Sequence, residues 1–356
     1  MQQAESGVKL QYKPLGNTGL MVSELCLGAM TFATTEKGVW GMPASNEEQS
    51  HAILDRFVAA GGNFIDTADV YGESEEVLGR WLVKQRRESL VIATKVRGRN
   101  GPTVNDVGLS RKHIFDSVER SLKALQTDYI DLYQVHSWDI STPLKETLTA
   151  LNDLVRSGKV RYVGISNYSG WQLQKAKDIC KHLDYAPIVS LQIQYSLLCR
   201  WTEWELLPVC KNEGVGVLPW SPLKGGWLTG KFKRSEKSVK EEATGSRVGW
   251  AQNVGWEQTN VDSLDNEHTW KVLEVLKQIA ESKGKSQAQV ALRWLLQKPT
   301  VTCPIIGART LAHLEDNLGA VGWSLTEEEM KQLDEASAIE VPYPWGMYWN
   351  TARDRY

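Results

Sequence analysis

Short apolar runs alternate with longer amphipathic stretches along most of the chain. The runs at 25–28, 63–66, 90–94, 129–135, 160–165, 189–193, 216–219 and 302–305 read as buried strands. Between them apolar residues recur at helical spacing, as in Ile53, Leu54, Phe57 and Val58. This predicts helices over 45–60, 111–125, 144–156, 170–182, 203–212, 266–283 and 288–296. Another begins near Ser74, where Glu73, Glu75 and Glu76 complement the positive end of a helix dipole and the hydroxyl can cap free amides. Further helices are expected over 311–318 and from Thr326, whose first turn carries Glu327, Glu328 and Glu329.

Strand alternating with helix throughout argues for a parallel sheet, and continuous apolar strands such as Leu90-Val91-Ile92-Ala93 fit a sheet covered on both faces. Eight such units favour closure into a (β/α)8 barrel over an open sheet. Two extended runs, 9–15 and 21–25, flank Gly16-Asn17-Thr18-Gly19 and predict an N-terminal hairpin that plugs one end of the barrel. Segment 223–266 is rich in Gly, Lys and Ser without a clear period, the mark of a functional lid or a disordered insertion. An aromatic tail runs from Pro342 to Trp349. No Pro- or Ser-rich linker divides the chain, so 1–356 is expected to be one barrel domain.

Composition narrows the function. With 41 basic and 43 acidic residues the formal charge is −2, which gives no electrostatic case for nucleic acid or an anionic membrane as partner. No apolar run approaches the roughly 18 residues of a membrane span, and residues 1–7 are too polar for a secretory signal. Cys26, Cys180, Cys199, Cys210 and Cys303 are odd in number and form no Cys-x-x-Cys pair, which suits reduced core thiols in a cytoplasmic protein without a metal site. Of 15 tryptophans, Trp40, Trp138, Trp220, Trp227, Trp345 and Trp349 fall in or near loops and the tail. Loop indoles either line a flat apolar ligand pocket or pack against the barrel, and both readings stay open.

Barrel enzymes carry chemistry at the C-terminal ends of their strands. There the second strand offers Asp66 and, five residues on, Tyr71; the third ends in Thr94-Lys95 and the fourth in Gln134-Val135-His136. A lysine at the end of an apolar strand is costly to bury unpaired, and Asp66 is its natural partner. Lys95 near Tyr71 would make the phenol a better proton donor by stabilising the phenolate, and His136 can donate to a carbonyl oxygen. Such a site polarises and protonates a carbonyl but lacks a nucleophile, so the electron pair must come from a cofactor. Each residue also has a purely structural reading: an ion pair, a satisfied rim histidine, a packing tyrosine. Their order at three consecutive strand ends favours the chemical one.

The segments Gly62-Asn63-Phe64-Ile65-Asp66-Thr67-Ala68-Asp69-Val70-Tyr71-Gly72, Leu122-Lys123-Ala124-Leu125-Gln126-Thr127-Asp128-Tyr129-Ile130-Asp131-Leu132, Gly164-Ile165-Ser166-Asn167-Tyr168 and Pro304-Ile305-Ile306-Gly307-Ala308-Arg309 carry a resemblance. The chain resembles the aldo-keto reductases over roughly 15–336, most of all the aryl-alcohol-dehydrogenase-like and bacterial-type branch that includes the potassium-channel β-subunits. The resemblance implies Asp66, Tyr71, Lys95 and His136 as a catalytic tetrad and NADPH as cofactor, with Asp66 also in the cofactor site. It implies that Ser166, Asn167 and Gln192 hold the nicotinamide carboxamide, that Trp220 stacks on its ring, and that Gly28 and Thr31 approach it. Ser221, Leu223 and Lys231 would meet the pyrophosphate under a strap formed by 223–266. Gly307 and Arg309 would lie at the adenosine 2′-phosphate and Asn317 at the adenine. His313 and Asp316 depart from the usual Gln or Arg and Glu. Phe32, Trp40, Trp138, Trp227 and the tail aromatics suggest a flat apolar carbonyl substrate.

The expected function is NADPH-dependent reduction of aldehydes or ketones to alcohols, with Tyr71 as proton donor, by a monomer or homo-oligomer. The alternative is a cofactor-binding redox sensor with weak turnover, although nothing resembles a long inactivating N-terminal extension.

Overall fold

The computed structural model describes residues 8–234, 239, 243, 245–254 and 261–348; Trp349 of the aromatic tail and residues 1–7 lie outside the described residues. Strands β1 (Tyr12–Pro14) and β2 (Met21–Ser23) form an antiparallel hairpin. Eight parallel strands follow: β3 (Cys26–Gly28), β4 (Phe64–Asp66), β5 (Val91–Val96), β6 (Ile130–Val135), β7 (Val160–Ser166), β8 (Ile188–Gln194), β9 (Gly216–Trp220) and β10 (Ile305–Gly307). They pair in chain order from β3 to β9, with β10 beside β3. The remaining seam is bridged where Val217 pairs with Val301 and the Thr302 amide donates to the Val217 carbonyl over 3.0 Å. Helices connect the strands, and the whole is a nearly closed (β/α)8 barrel.

Alternation along each strand sorts side chains into two cores. Phe64, Val91, Ala93, Leu132, Val189 and Leu218 point into the barrel, whereas Ile65, Ile92, Val96, Tyr133 and Val135 point out to the helices. The hairpin contributes Leu15 and Val22 to the inner core and so closes the N-terminal end. Its turn comes so near the barrel that a Cβ on Gly16, at φ +57°, would lie 2.5 Å from the Val189 carbonyl oxygen. Only glycine fits there.

Helices Arg111–Leu125, Leu144–Arg156, Gly170–His182 and Leu311–Leu318 have the bounds that their periodicity predicts. Reciprocal capping pairs Asn46–Gln49, Ser286–Gln289 and Thr326–Glu329 fix three helix starts. Two elements differ. The run 203–212 becomes a short turn, Trp201–Glu203, and then helix Leu206–Glu213. Pro208, lacking an amide proton, is tolerated only in a first turn, so the helix starts just before it. The last strand lies at Ile305–Gly307 and not at 302–305, because Val301 and Thr302 serve β9 and Pro304 has no N–H to give a ladder. The five cysteines are free and buried. Among the described residues no helix is long and apolar enough to cross a membrane, and no cluster of side chains could hold a metal.

Gly79, on helix Ser74–Leu82, faces helix Arg111–Leu125 so closely that a Cβ would lie 2.1 Å from the Ala124 carbonyl oxygen. Gly79→Ala is therefore expected to cost about 1–3 kcal/mol in denaturant unfolding. Gly19→Ala, where a Cβ meets nothing within 4 Å, should stay within about 0.5 kcal/mol. Equal losses in the two variants would refute the packing account.

Candidate active site

The layer of inward residues nearest the C-terminal mouth is polar. Asp66 ends β4, Lys95 lies near the end of β5, Gln134 sits on β6 and Gln192 on β8. All four are buried, Lys95 completely. The Lys95 ammonium donates to Asp66 Oδ1 and, over 2.8 Å, to the Thr67 carbonyl oxygen. Asp66 Oδ2 accepts from Gln134 Nε2 and from Gln192 Nε2, each at 2.9 Å. Tyr71 arrives from the loop after β4 and places its ring centre 4.9 Å from the Lys95 nitrogen. His136, one residue past β6, meets the Tyr71 ring edge to face with centres 5.7 Å apart. The structure thus brings Asp66, Tyr71, Lys95 and His136 into one cluster.

Electrostatics set the protonation states. Burial works against the Lys95 charge, but Asp66 and Tyr71 outweigh it, so the ammonium is held above its ordinary pKa. His136 is lowered to about 3 by burial and by the charges of Lys95 and Arg97. It is a neutral imidazole with one N–H to give. Tyr71 departs from expectation: burial raises its pKa, and Lys95 only partly offsets that. Lys95 tempers the loss of acidity without reversing it.

A second buried polar group lies behind β5, where the sequence pattern gave no sign of it. Thr94 points outward and its hydroxyl donates to Glu75 over 2.6 Å. Burial, opposed by that hydrogen bond, lifts Glu75 to about 7. Burial and then the Glu75 charge lift Asp69 to about 8. Asp69 Oδ1 and the nearby buried Tyr133 hydroxyl have no hydrogen-bond partner among the described residues.

The residues expected around a cofactor ring the same mouth. Gly28 ends β3, and Thr31 beyond it is buried with a hydroxyl that has no partner among the described residues. Ser166 ends β7; Asn167 follows at φ +55° and donates from Nδ2 to the His136 carbonyl over 2.9 Å. Trp220, at the end of β9, donates to Asn167 Oδ1 over 3.0 Å. Ser221 at φ +50° opens the turn past Leu223 into Lys224–Thr229, where Gly225 and Gly226 also have positive φ. Lys231 folds back there: a Cβ on Gly226 would lie 2.8 Å from its nitrogen.

Across from it, Gly307 ends β10 and Arg309 precedes helix Leu311–Leu318. Partial burial and the Arg309 charge lower Lys231 to about 8, and the same two causes, in that order, lower His313. Among the described residues neither Lys231 nor Arg309 has an ion-pair partner. Asn317 is buried and donates to the Gly307 carbonyl over 3.1 Å, while Asp316 Oδ1 accepts from Gln289.

The aromatic residues divide. Trp40 stands at the rim, 53% exposed, and its carbonyl accepts from Trp250 Nε1. Trp138 is half-buried, edge-on to Tyr168 at 5.1 Å and to Trp171 at 5.5 Å. Phe32 and Trp227, the other two expected at a substrate pocket, are buried in the outer core, Trp227 against Phe232 and Trp270.

Two residues at the mouth, Arg97 and Arg247, escaped the sequence reading, and Gln134 entered it only as part of a strand end. Gln134 and Arg97 lie two positions from His136 and Lys95 and follow from strand alternation once those are chosen. Arg247, whose charge reaches Tyr71 and whose guanidinium meets Met30 Sδ at 3.9 Å, comes from a segment with no period to read.

An unfolded aspartate releases its proton near pH 3.9, whereas folded Asp69 keeps it to about 8, so the folded state loses stability as pH rises between those values. Asp69→Asn removes that loss. Its melting temperature is expected to exceed the wild type's by more at pH 8.5 than at pH 5, and equal differences at both pH values would sink the idea.

The sequence as a whole points the same way. A profile of the aldo/keto reductase family matches residues 24–338. The uncharacterized oxidoreductase YrpG of Bacillus subtilis is 38% identical over 340 residues, 92% of this chain and 95% of that protein. A norsolorinic acid reductase of Aspergillus flavus is 34% identical over 349 residues, 96% and 84% of the two chains. The versiconal hemiacetal acetate reductase of Aspergillus parasiticus is 33% identical over 356 residues, 94% and 99%. With a barrel of the right topology and matches over nearly its whole length, the chain belongs to the aldo/keto reductase family and is an oxidoreductase.

Proposed function

We propose that the chain is an NADPH-dependent reductase of aldehydes and ketones with Asp66, Tyr71, Lys95 and His136 as its catalytic residues. The observation that carries this reading is the fully buried Lys95 ammonium, held by Asp66 and set 4.9 Å from the Tyr71 ring centre. An ion pair that served packing alone would need no phenol at its open side. The residues also fit the cofactor. Lys231 and Arg309 repel each other beside His313, and among the described residues neither of the two has a paired carboxylate, which suits a bound phosphate beside the N-terminus of helix Leu311–Leu318. The Thr31 hydroxyl, without a partner among the described residues, lies by the mouth with hydrogen-bonding capacity to spare.

When bound, the nicotinamide would supply the hydride for the carbonyl carbon. The chain's own groups do the rest. Tyr71 gives its proton to the developing alkoxide, and Lys95 stabilises the phenolate left behind. Asp66 fixes Lys95 in position. Gln134 and Gln192, both on Asp66 Oδ2, keep that carboxylate aimed. Neutral His136 donates its N–H to the substrate oxygen without competing for the proton. Ser166, Asn167 and Trp220 would orient the nicotinamide, Gly28, Gly307, Ser221, Leu223, Asp316 and Asn317 would line the rest of the cofactor groove, and Trp40 and Trp138 favour a flat apolar substrate. The names of the fungal relatives, both reductases, support the direction of the reaction.

Tyr71→Phe is expected to lower NADPH-dependent reduction of a panel of aromatic and aliphatic aldehydes by more than about two decades with cofactor binding kept. Saturable NADPH binding with no turnover by the wild type would overturn the reductase reading in favour of a cofactor-binding sensor. Arg309→Gln should raise KM for NADPH about tenfold or more, as expected for a hydrogen bond to a charged group worth about 1.5–3 kcal/mol, and change KM for NADH about twofold or less. Equal effects on both cofactors would remove Arg309 from the phosphate site.

A further inference from the structure

Arg97 occupies an unusual place. Along β5, Val91, Ala93 and Lys95 point into the barrel while Ile92, Thr94 and Val96 point out. Arg97 follows the last residue of β5, two positions beyond Lys95, at the mouth. Its backbone has φ +145°, a conformation that side-chain-bearing residues seldom adopt and that is kept where surrounding structure enforces it. The enforcement is visible. The Arg97 carbonyl accepts from the Gly108 amide over 2.9 Å, and its Nε donates to the Trp138 carbonyl over 3.2 Å. The Val96 carbonyl beside it accepts the His136 amide, so Arg97 is tied to the loop that carries both His136 and Trp138.

The guanidinium is half-buried, yet that one bond to Trp138 uses a single donor. Among the described residues Arg97 forms no ion pair. Asp139 feels its charge, but the Asp139 oxygens are already taken by the Leu109 and Ser141 amides and the Thr142 hydroxyl. The same positive charge reaches His136. A cation held at the mouth by a strained backbone, with its terminal nitrogens unclaimed among the described residues, suits a planar bidentate acceptor.

We infer that Arg97, anchored on the Trp138 carbonyl, forms a subsite for a carboxylate on the substrate, so that the reductase prefers aromatic carbonyl compounds carrying an anionic oxygen away from the reacting carbonyl. The inference rests on the proposed role of Tyr71 and Lys95 as the reacting centre and adds to it the class of substrate.

The test compares 4-formylbenzoate with its neutral methyl ester as substrates for NADPH-dependent reduction. The wild type is expected to favour the acid by about tenfold or more in kcat/KM, through KM, with the preference shrinking as salt is raised from about 0.05 to 0.5 M. In Arg97→Gln the acid-to-ester ratio should fall to within about threefold of one, and Arg97→Lys should keep part of it. Arg97→Gly, which relieves the backbone at this φ, should lose the preference as fully as Arg97→Gln, so a folding defect cannot mimic the result. A wild-type ratio near one, or variants that slow both substrates alike, would overturn the subsite. Tryptophan fluorescence titration of the same pair reads binding independently of turnover. If neither compound is reduced but the acid still binds more tightly through Arg97, the reductase reading fails while the anion subsite stands.

Discussion

A lysine ammonium with no solvent exposure at the centre of a barrel is the constraint around which the mouth is built. Left alone, such a charge would lose its proton or destabilise the fold by several kcal/mol. Asp66 and the Thr67 carbonyl hold it, and Asp66 in turn needs its second oxygen satisfied, which Gln134 and Gln192 do from two other strands. Four strands are therefore committed to one ion pair. The barrel's parallel strands make this possible, since the C-terminal ends of β4, β5, β6 and β8 all open on the same mouth.

The surrounding charges form a graded field. Lys95 and Arg97 keep His136 neutral, Arg247 reaches Tyr71 from above, and Lys231 and Arg309 crowd each other on the far side of the groove. Among the described residues none of the last four has a carboxylate in ion-pair contact, although the chain as a whole carries a formal charge of −2. Cations concentrated at the open end of a near-neutral molecule, with acids elsewhere on the surface, are arranged for anionic ligands. Asp69 and Glu75 are raised to about 8 and about 7, so near neutral pH Asp69 is mostly protonated and Glu75 about half, which reduces what they subtract from that field.

The strand and helix pattern was legible because each element announces its own environment. Four helices have the bounds that their apolar period implies, and the barrel strands lie within a residue or two of theirs apart from β10, where Pro304 and the seam with β9 displaced the pairing. The reactive cluster was legible for a related reason: Asp66, Lys95 and His136 are polar residues at the ends of apolar runs, and polarity there is costly enough to need a purpose. Loop aromatics gave no such signal. Trp40 and Trp138 stand at the mouth while Phe32 and Trp227 are sealed in the core, and nothing in their local sequence separates the two pairs.

The sequence by itself determined a (β/α)8 barrel, its hairpin plug, the family and the four residues brought together at the mouth, because periodicity and strand-end polarity are local properties. Tertiary structure alone decided what those residues feel. That burial outweighs Lys95 at Tyr71, that His136 stays neutral, that Asp69 and Glu75 hold their protons more tightly than free carboxyls, and that Arg97 is tied to Trp138 with donors to spare all depend on groups brought together from different strands and loops. Desolvation and Coulomb energies follow distance in space and dielectric surroundings, neither of which is written in the spacing of residues along a chain.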